Sequence, residues 1–198
     1  VDTEARAGRF AADVIGSAGV RIGGDKFDAE IMRHKLLSHF GAGSTYSQPF
    51  STKRLDVPKH ILAKLLSWHE MSFIRERSTQ ELIAQMERTS ARKAAIIALQ
   101  QLVGENLGYQ VFRAIEQAKV DLSEADHARI VFSEGDIRID EPITRDESEA
   151  ISAPLLRELG ECIDGLLART QAAGPIDAVF LTGGSSQIPS VRALFERR

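Results

Sequence analysis

The chain has 198 residues, enough for one full-sized domain or two small lobes with a real buried core. Hydrophobic residues make up 43% and charged residues 27%, which excludes a disordered chain. A formal net charge of -3 without any basic block excludes a phosphate-backbone binder, so nucleic acid is not expected as a partner.

The start of the chain is ambiguous. Phe10 to Ser17 and Val20-Arg21-Ile22 fit short strands linked between Gly16 and Gly19, while the alanine-rich part also fits a helix. Gly23-Gly24-Asp25 is a turn signal. From Lys26 the pattern turns helical, with Phe27, Ile31, His34, Lys35 and Leu37 recurring every three or four residues. Gly41-Ala42-Gly43-Ser44 ends that helix, and the polar stretch to Asp56 reads as a loop. Pro58 fits the first turn of a helix whose apolar side is Ile61, Leu62, Leu65, Leu66 and Trp68. Ser78-Thr79-Gln80-Glu81 has the spacing of a capping box, with Ser78 as cap, and opens a helix running to about Leu102. Gly104 and Gly108 place a joint near Asn106. Helix resumes through Leu107, Val111, Ala114, Ile115 and Ala118 and ends at Ser123.

Ala128 to Phe132 and Ile137 to Asp140 flank Glu134-Gly135-Asp136, a hairpin signal. Thr144-Arg145-Asp146-Glu147 is a second capping box. Pro154 is expected to divide the helix that follows from a longer one carrying Leu155, Leu159, Ile163, Leu166 and Leu167. Gly174-Pro175 then stops helix ahead of a last strand, Asp177 to Leu181, and an amphipathic helix after it. The order of elements predicts an α/β architecture with a helix-rich lobe. Cys162 is the only cysteine, which excludes an internal disulfide framework and a thiolate zinc cluster; its place between Leu159 and Leu166 predicts a buried, inert thiol. His34, His39, His60 and His69 show no metal-site pattern. No stretch approaches the roughly 20 apolar residues that cross a bilayer, no signal peptide opens the chain, and it reads as cytoplasmic. It begins without methionine and stops at Arg197-Arg198 inside a helical pattern, so it reads as a segment of a longer protein.

Two groups of residues carry candidate chemistry. In Thr182-Gly183-Gly184-Ser185 an apolar run stops at two glycines just before a helix, where the backbone can approach a ligand. The alternative there is a tight turn of an α/β fold. Glu116, Lys119 and Ser123 are spaced by three and then four residues, hence on one side of a helix. Such a row can hold a sugar, the carboxylate accepting from ribose hydroxyls, the ammonium donating and the hydroxyl addressing a base edge. Its plainer reading is a solvated charged face.

Gly23-Gly24-Asp25-Lys26-Phe27-Asp28, Glu116-Gln117-Ala118-Lys119-Val120-Asp121-Leu122-Ser123 and Gly183-Gly184-Ser185-Ser186-Gln187-Ile188-Pro189 occur in this order over nearly the whole chain. Together they resemble the nucleotide-binding domain of the seventy-kilodalton heat-shock chaperone (DnaK) family. Leu107-Gly108-Tyr109 leading into Arg113-Ala114-Ile115-Glu116 is most similar to its short, YegD-type members. The resemblance implies an actin-like ATPase fold of which this chain is the second lobe only, a mixed sheet with a helix-rich small subdomain. It assigns residues 1–22 and 140–198 to the large subdomain and residues 23–139 to the small one with its hairpin. It also implies an ATP or ADP cofactor, with Glu116 and Lys119 at the ribose and Ser123 at the adenine. Gly183, Gly184 and Ser185 would line the adenosine and phosphate side, and Gly23 and Gly24 a turn near the phosphates.

Two positions depart from the family pattern. Its adenine-flanking arginines would fall at Val120 and Gln187, which supply no guanidinium stacking, at roughly 1–2 kcal/mol for each lost contact. No Asp-Xxx-Gly-Thr or Gly-Gly-Gly-Thr phosphate loop is present, so the chain alone is not expected to hydrolyse ATP. Magnesium is implied only for the complete parent domain. The partners implied are the missing first lobe, the nucleotide, and a client or regulatory protein, with no membrane. A non-hydrolysing nucleotide-sensing or protein-interaction lobe, and a lobe of a sugar or acetate kinase, are the alternatives.

Overall fold

A computed structural model describes residues 14–48, 53–170, 174 and 176–196. Contacts divide the chain into one unit of Gly24–Ser152 and another of Val1–Gly23 with Ala153–Arg198. The expected subdomain boundary between residues 139 and 140 falls within the strand Ile137–Thr144.

The first unit begins with α1 (Gly24–Ile31), which continues as one wider turn at Met32–Leu36 and a tighter one at Leu37–Phe40. Phe27, Ile31, Met32, Leu36, Leu37 and Phe40 are buried along it. Gly41 stops it with φ of 95°, a left-handed conformation in which only glycine is unstrained. The stretch expected to be a loop contains an antiparallel pair, β1 (Thr45–Ser47) and β2 (Arg54–Asp56), with Tyr46 opposite Leu55. Tertiary contacts make these short strands. Ser47 exchanges hydrogen bonds with Thr89 Oγ1 at 3.2 and 2.9 Å, and Tyr46 is buried.

Pro58 caps α2 (Lys59–Lys64), and a tight helical segment follows at Glu70–Arg75. The helix expected to run from Ser78 to Leu102 is two: α3 (Arg77–Thr89) and α4 (Lys93–Gly104). Ser90 breaks it. Its hydroxyl accepts from Arg92 N at 3.1 Å and shares a 2.7 Å hydrogen bond with Ser44, a local alternative to the helical ladder. Nor is Ser78 a cap. Glu76 holds the extended cap position, its carbonyl accepts from Thr79 and Gln80, and the Glu81 carboxylate bonds Arg77 Nε at 2.9 Å. The joint expected near Asn106 is present, with Asn106 at φ 59°, and leads into α5 (Gly108–Glu124). That helix ends one residue beyond Ser123.

The hairpin forms as β3 (His127–Glu134) and β4 (Ile137–Thr144), longer than the sequence pattern marks. Phe132 pairs with Ile139, and Ile130, Phe132, Ile137, Ile139 and Ile143 face the core while Val131 stays exposed. β3 packs along α5, and Ile96, Leu99 and Leu102 of α4 lie at the centre of the same core with Val111 and Ile115. Thr144 caps the next helix, its Oγ1 accepting from Glu147 N at 3.1 Å. The reciprocal half of that box is not used, because the Glu147 carboxylate accepts from Lys35 Nζ at 2.7 Å.

That helix, α6 (Arg145–Thr170), passes through Pro154 without dividing. Proline removes the donor for the Ala150 carbonyl, but both residues are exposed and water can take the donor's place. Cys162, expected to be buried, is a half-buried free thiol on this helix. In the second unit Ile176–Leu181 forms no strand, nor does Val20–Ile22. The expected mixed sheet is absent among the described residues, whose two sheets have two antiparallel strands each. An apolar run becomes a strand only beside an edge that takes up its hydrogen bonds, and Ile176–Leu181 pairs with no strand among the described residues. Phe180 is 91% exposed. The chain closes its described part with α7 (Pro189–Glu196). Phe10–Asp13 and Arg197-Arg198 lie outside the described residues.

Leu99 is fully buried at the centre of the first unit. Leu99→Ala should lower its unfolding free energy by about 2–5 kcal/mol, read from urea denaturation. A loss below about 1 kcal/mol would mean that the surrounding core closes over the vacancy.

Candidate nucleotide-binding site

α5 separates two faces. Val111, Ile115, Ala118 and Leu122 are buried against the core, while Glu116 and Val120, one turn apart, point to solvent. Lys119 lies at the border. Its Nζ is 2.6 Å from Asp28 Oδ1 of α1, and the two side chains are only 15% and 11% exposed. The approach is an ion pair off the best hydrogen-bonding angle, and Oδ1 has no other partner among the described residues. This pair joins the Gly23–Asp28 motif to the Glu116–Ser123 row.

Burial pushes the Asp28 carboxyl above its ordinary value. The Lys119 ammonium opposes that shift, and the negative charges of Glu116 and Asp25 add to it. The folded state therefore holds the Asp28 proton more tightly than the unfolded chain. Asp28 favours folding most at low pH, and its contribution declines as pH rises from the unfolded carboxyl value through the raised one.

Ser123 Oγ donates to Lys119 O at 3.1 Å, which leaves its lone pairs to accept. Beyond it, Arg145 closes the helix end, donating from Nε to Leu122 O and from Nη2 to Ala125 O, both at 3.0 Å. The plainer reading of the row as a solvated charged face is thus correct only in part. Glu116 is solvated, whereas Lys119 is a nearly buried ion-pair partner.

The late double-glycine corner belongs to the other unit. Gly183 has φ of 89°, and nothing lies within 4 Å of where a side chain would begin at Gly183 or Gly184. Gly184–Gln187 forms one tight helical turn. Ser186 is buried and its Oγ donates to Gly183 O at 2.6 Å. Arg192 of α7 donates from Nε to Ser186 O at 3.0 Å and from Nη2 to Gln187 Oε1. Gln187 is therefore not idle, since its amide oxygen is already taken. Pro189 begins α7 where a missing N–H does no harm.

Gly23 is exposed with open space around it, and Gly24 starts α1. The turn expected at Gly23-Gly24-Asp25 is thus the start of a helix. Sequence reasoning missed three residues: Asp28, Ser186 and Arg192. Asp28 left a signal, for it stands between Phe27 and Ile31 on the buried stripe of a helix, where a carboxylate needs a cation. Among the described residues no group of three or more His, Cys, Asp or Glu is placed to hold a metal ion. No helix among them is long and apolar enough to cross a membrane.

Lys119→Met strands the buried Asp28 carboxylate. It should lower stability at neutral pH by about 3 kcal/mol, the low end for such pairs because some solvent reaches this one. The loss should shrink as pH falls towards the carboxyl range, and Asp28→Asn with Lys119→Met should restore most of it. Urea melts at several pH values test this; an equal loss at every pH would refute a charged Asp28 as the cause.

A protein-family model described as Hsp70 protein matches residues 87–197, more than half of the chain. The chain is similar to Chaperone protein DnaK of Deinococcus deserti, 29% identical over 96 residues, and to that of Deinococcus radiodurans, 28% identical over 96 residues. Each match covers 44% of this chain and 15% of the relative, so the chain matches only a small part of those proteins. The matched region holds both the Glu116–Ser123 row and the double-glycine corner, and by its extent the chain belongs to the Hsp70 protein family.

Proposed function

We propose that this chain supplies the adenosine side of an ATP or ADP cleft, as the second lobe of an actin-like, DnaK-type ATPase domain nearest the short YegD-type members. The observation that carries the reading is the Asp28–Lys119 ion pair, which sets an ammonium between exposed Glu116 and exposed Val120 on one helix. In this reading Glu116 accepts from the ribose hydroxyls, and Lys119 donates to them through protons its pairing leaves over. Ser123 accepts from the adenine edge. Val120, 54% exposed, offers the base an apolar surface. Gly183, Gly184 and Ser185 let backbone approach the adenosine and phosphates, which fits the empty space around both glycines. Gly23 and Gly24 lie towards the phosphates.

The residues present suit a nucleoside and not phosphoryl transfer. Catalysis would come from a first lobe, the chain's main partner, and magnesium enters only with that complete domain. ATP would then bridge two lobes, and hydrolysis would shift the population of closed lobes, relayed to a client or regulatory protein. A second reading, a nucleotide-sensing lobe without hydrolysis, is favoured by the Gln187 amide oxygen being occupied by Arg192 and by the uncharged Val120.

Calorimetry with ADP, on this chain and on the full-length protein, tests the site. Glu116→Gln should weaken binding about fivefold or more, and Val120→Arg should strengthen it roughly tenfold by adding a stacking cation. No effect of either change would overturn the assignment. ATP binding without turnover by the full-length protein would select the sensing reading.

A further inference from the structure

The first unit contains a cleft of about 450 Å³ whose lining includes His39, Arg92, Ala95, Ala98, Asp136 and Arg138. Three segments far apart in sequence build it: the tight turn Leu37–Phe40, the start of α4, and the hairpin end between β3 and β4. Each is fixed. Arg92 donates to Ser38 O at 3.0 Å and Ala42 O at 3.2 Å, Gln101 Oε1 accepts from Asp136 N at 2.7 Å, and His39 Nε2 lies 2.8 Å from Glu141 Oε1.

The two arginines of the cleft share one kind of partner. Both are held by backbone carbonyls, Arg138 by Gly135 O and by Ile137 O at 2.7 Å, and neither meets a carboxylate among the described residues. The hydrogen bonds leave Nε of Arg92, and Nε and Nη2 of Arg138, without protein acceptors there. Two positioned guanidiniums thus line a cleft together with Ala95, Ala98 and one acid, Asp136. Elsewhere in the unit arginines near carboxylates pair with them, as Arg77 does with Glu81 and Arg129 with Asp140.

We infer that this cleft binds a peptide carboxylate. The planar guanidiniums suit a carboxylate in a fork-like grip, and the rigid walls lower the ordering cost of binding. Asp136 decides between anions. It opposes a dianion such as phosphate, yet can accept the amide N–H that a peptide carries beside its carboxylate. The small side chains of Ala95 and Ala98 in the lining leave room for a small peptide side chain. The carboxylate is either a free chain end or an acidic side chain, and the grip is the same for both.

The test is NMR titration of the ¹⁵N-labelled chain with acetyl-trialanine bearing a free carboxylate, its C-terminal amide, acetyl-Ala-Glu-Ala amide, and inorganic phosphate. The free acid should saturate with shifts at Ala95, Ala98 and Arg138, and the trialanine amide should bind at least tenfold more weakly. Saturation by the Glu peptide amide at the same resonances would identify a side-chain carboxylate as a source, and its failure to bind would restrict the site to chain ends. Arg138→Gln, which leaves the Arg92 and Gln101 bonds in place, should weaken the acid at least tenfold with an otherwise unchanged spectrum. Asp136→Asn should favour phosphate over the peptide. Equal binding of acid and amide, full affinity in Arg138→Gln, tighter binding of phosphate than of peptide by the unaltered chain, or no saturation by any ligand would each overturn the proposal.

Discussion

A carboxylate inside a helix packing surface is unfavourable unless a cation lies against it, and at Asp28 that cation is Lys119. The pair ties α1 to α5, two helices that also meet elsewhere, and it fixes Lys119 at the border of the buried face of α5. Phe27 and Ile31 of α1 and Ile115, Ala118 and Leu122 of α5 are all buried. With Lys119 turned to Asp28, its helical neighbours Glu116 and Val120 are left on the outer surface. The exposure of the candidate nucleotide contacts is therefore a consequence of where one buried charge had to be neutralised. An apolar pair of the same volume would hold the helices as well. The retention of charge there is what links the packing to the proposed chemistry.

The same logic separates the two arginine sites. Arg145 is absorbed by the end of α5, its guanidinium covering carbonyls that the helix cannot satisfy and pairing with Asp126 at 2.7 Å. Arg92 and Arg138 also bond carbonyls, but no carboxylate offsets their charge among the described residues, and a cleft lies between them. Hydrogen bonding fixes a guanidinium's position, and only an anion neutralises it.

What was legible in the sequence was what local interactions decide. The stop at Gly41, the joint at Asn106 and the β3–β4 hairpin each follow from backbone conformations that few residue types adopt, or from alternation along one strand. The Glu116–Lys119–Ser123 spacing was readable because α5 is regular throughout. What escaped was set by distant partners. β1 exists because Thr89 takes up both main-chain groups of Ser47, and no feature of residues 45–47 announces Thr89. Ser90 interrupts a strongly helical stretch because Ser44 meets its hydroxyl. Pro154 fails to interrupt one because the carbonyl it deprives is open to water. The role of Asp28 is not legible from its own motif, because its partner lies 91 residues away.

In the proposed adenosine site, Gln187 and Val120 pose a physical question about adenine. An arginine beside the base gives stacking area and charge together, whereas Val120 gives area alone. At the other position a guanidinium is in fact nearby, for Arg192 reaches Gln187, but it bonds the amide oxygen and the Ser186 carbonyl and so braces the turn after Gly183. A glutamine held this way presents its amide nitrogen, which lies 3.5 Å from Ser186 Oγ, as a donor fixed in place. A fixed donor reads a base edge, while a stacked cation grips a base face without regard to its edge. In the proposed site, Val120 and Gln187 would therefore exchange affinity for the ring against selectivity for its hydrogen-bonding pattern.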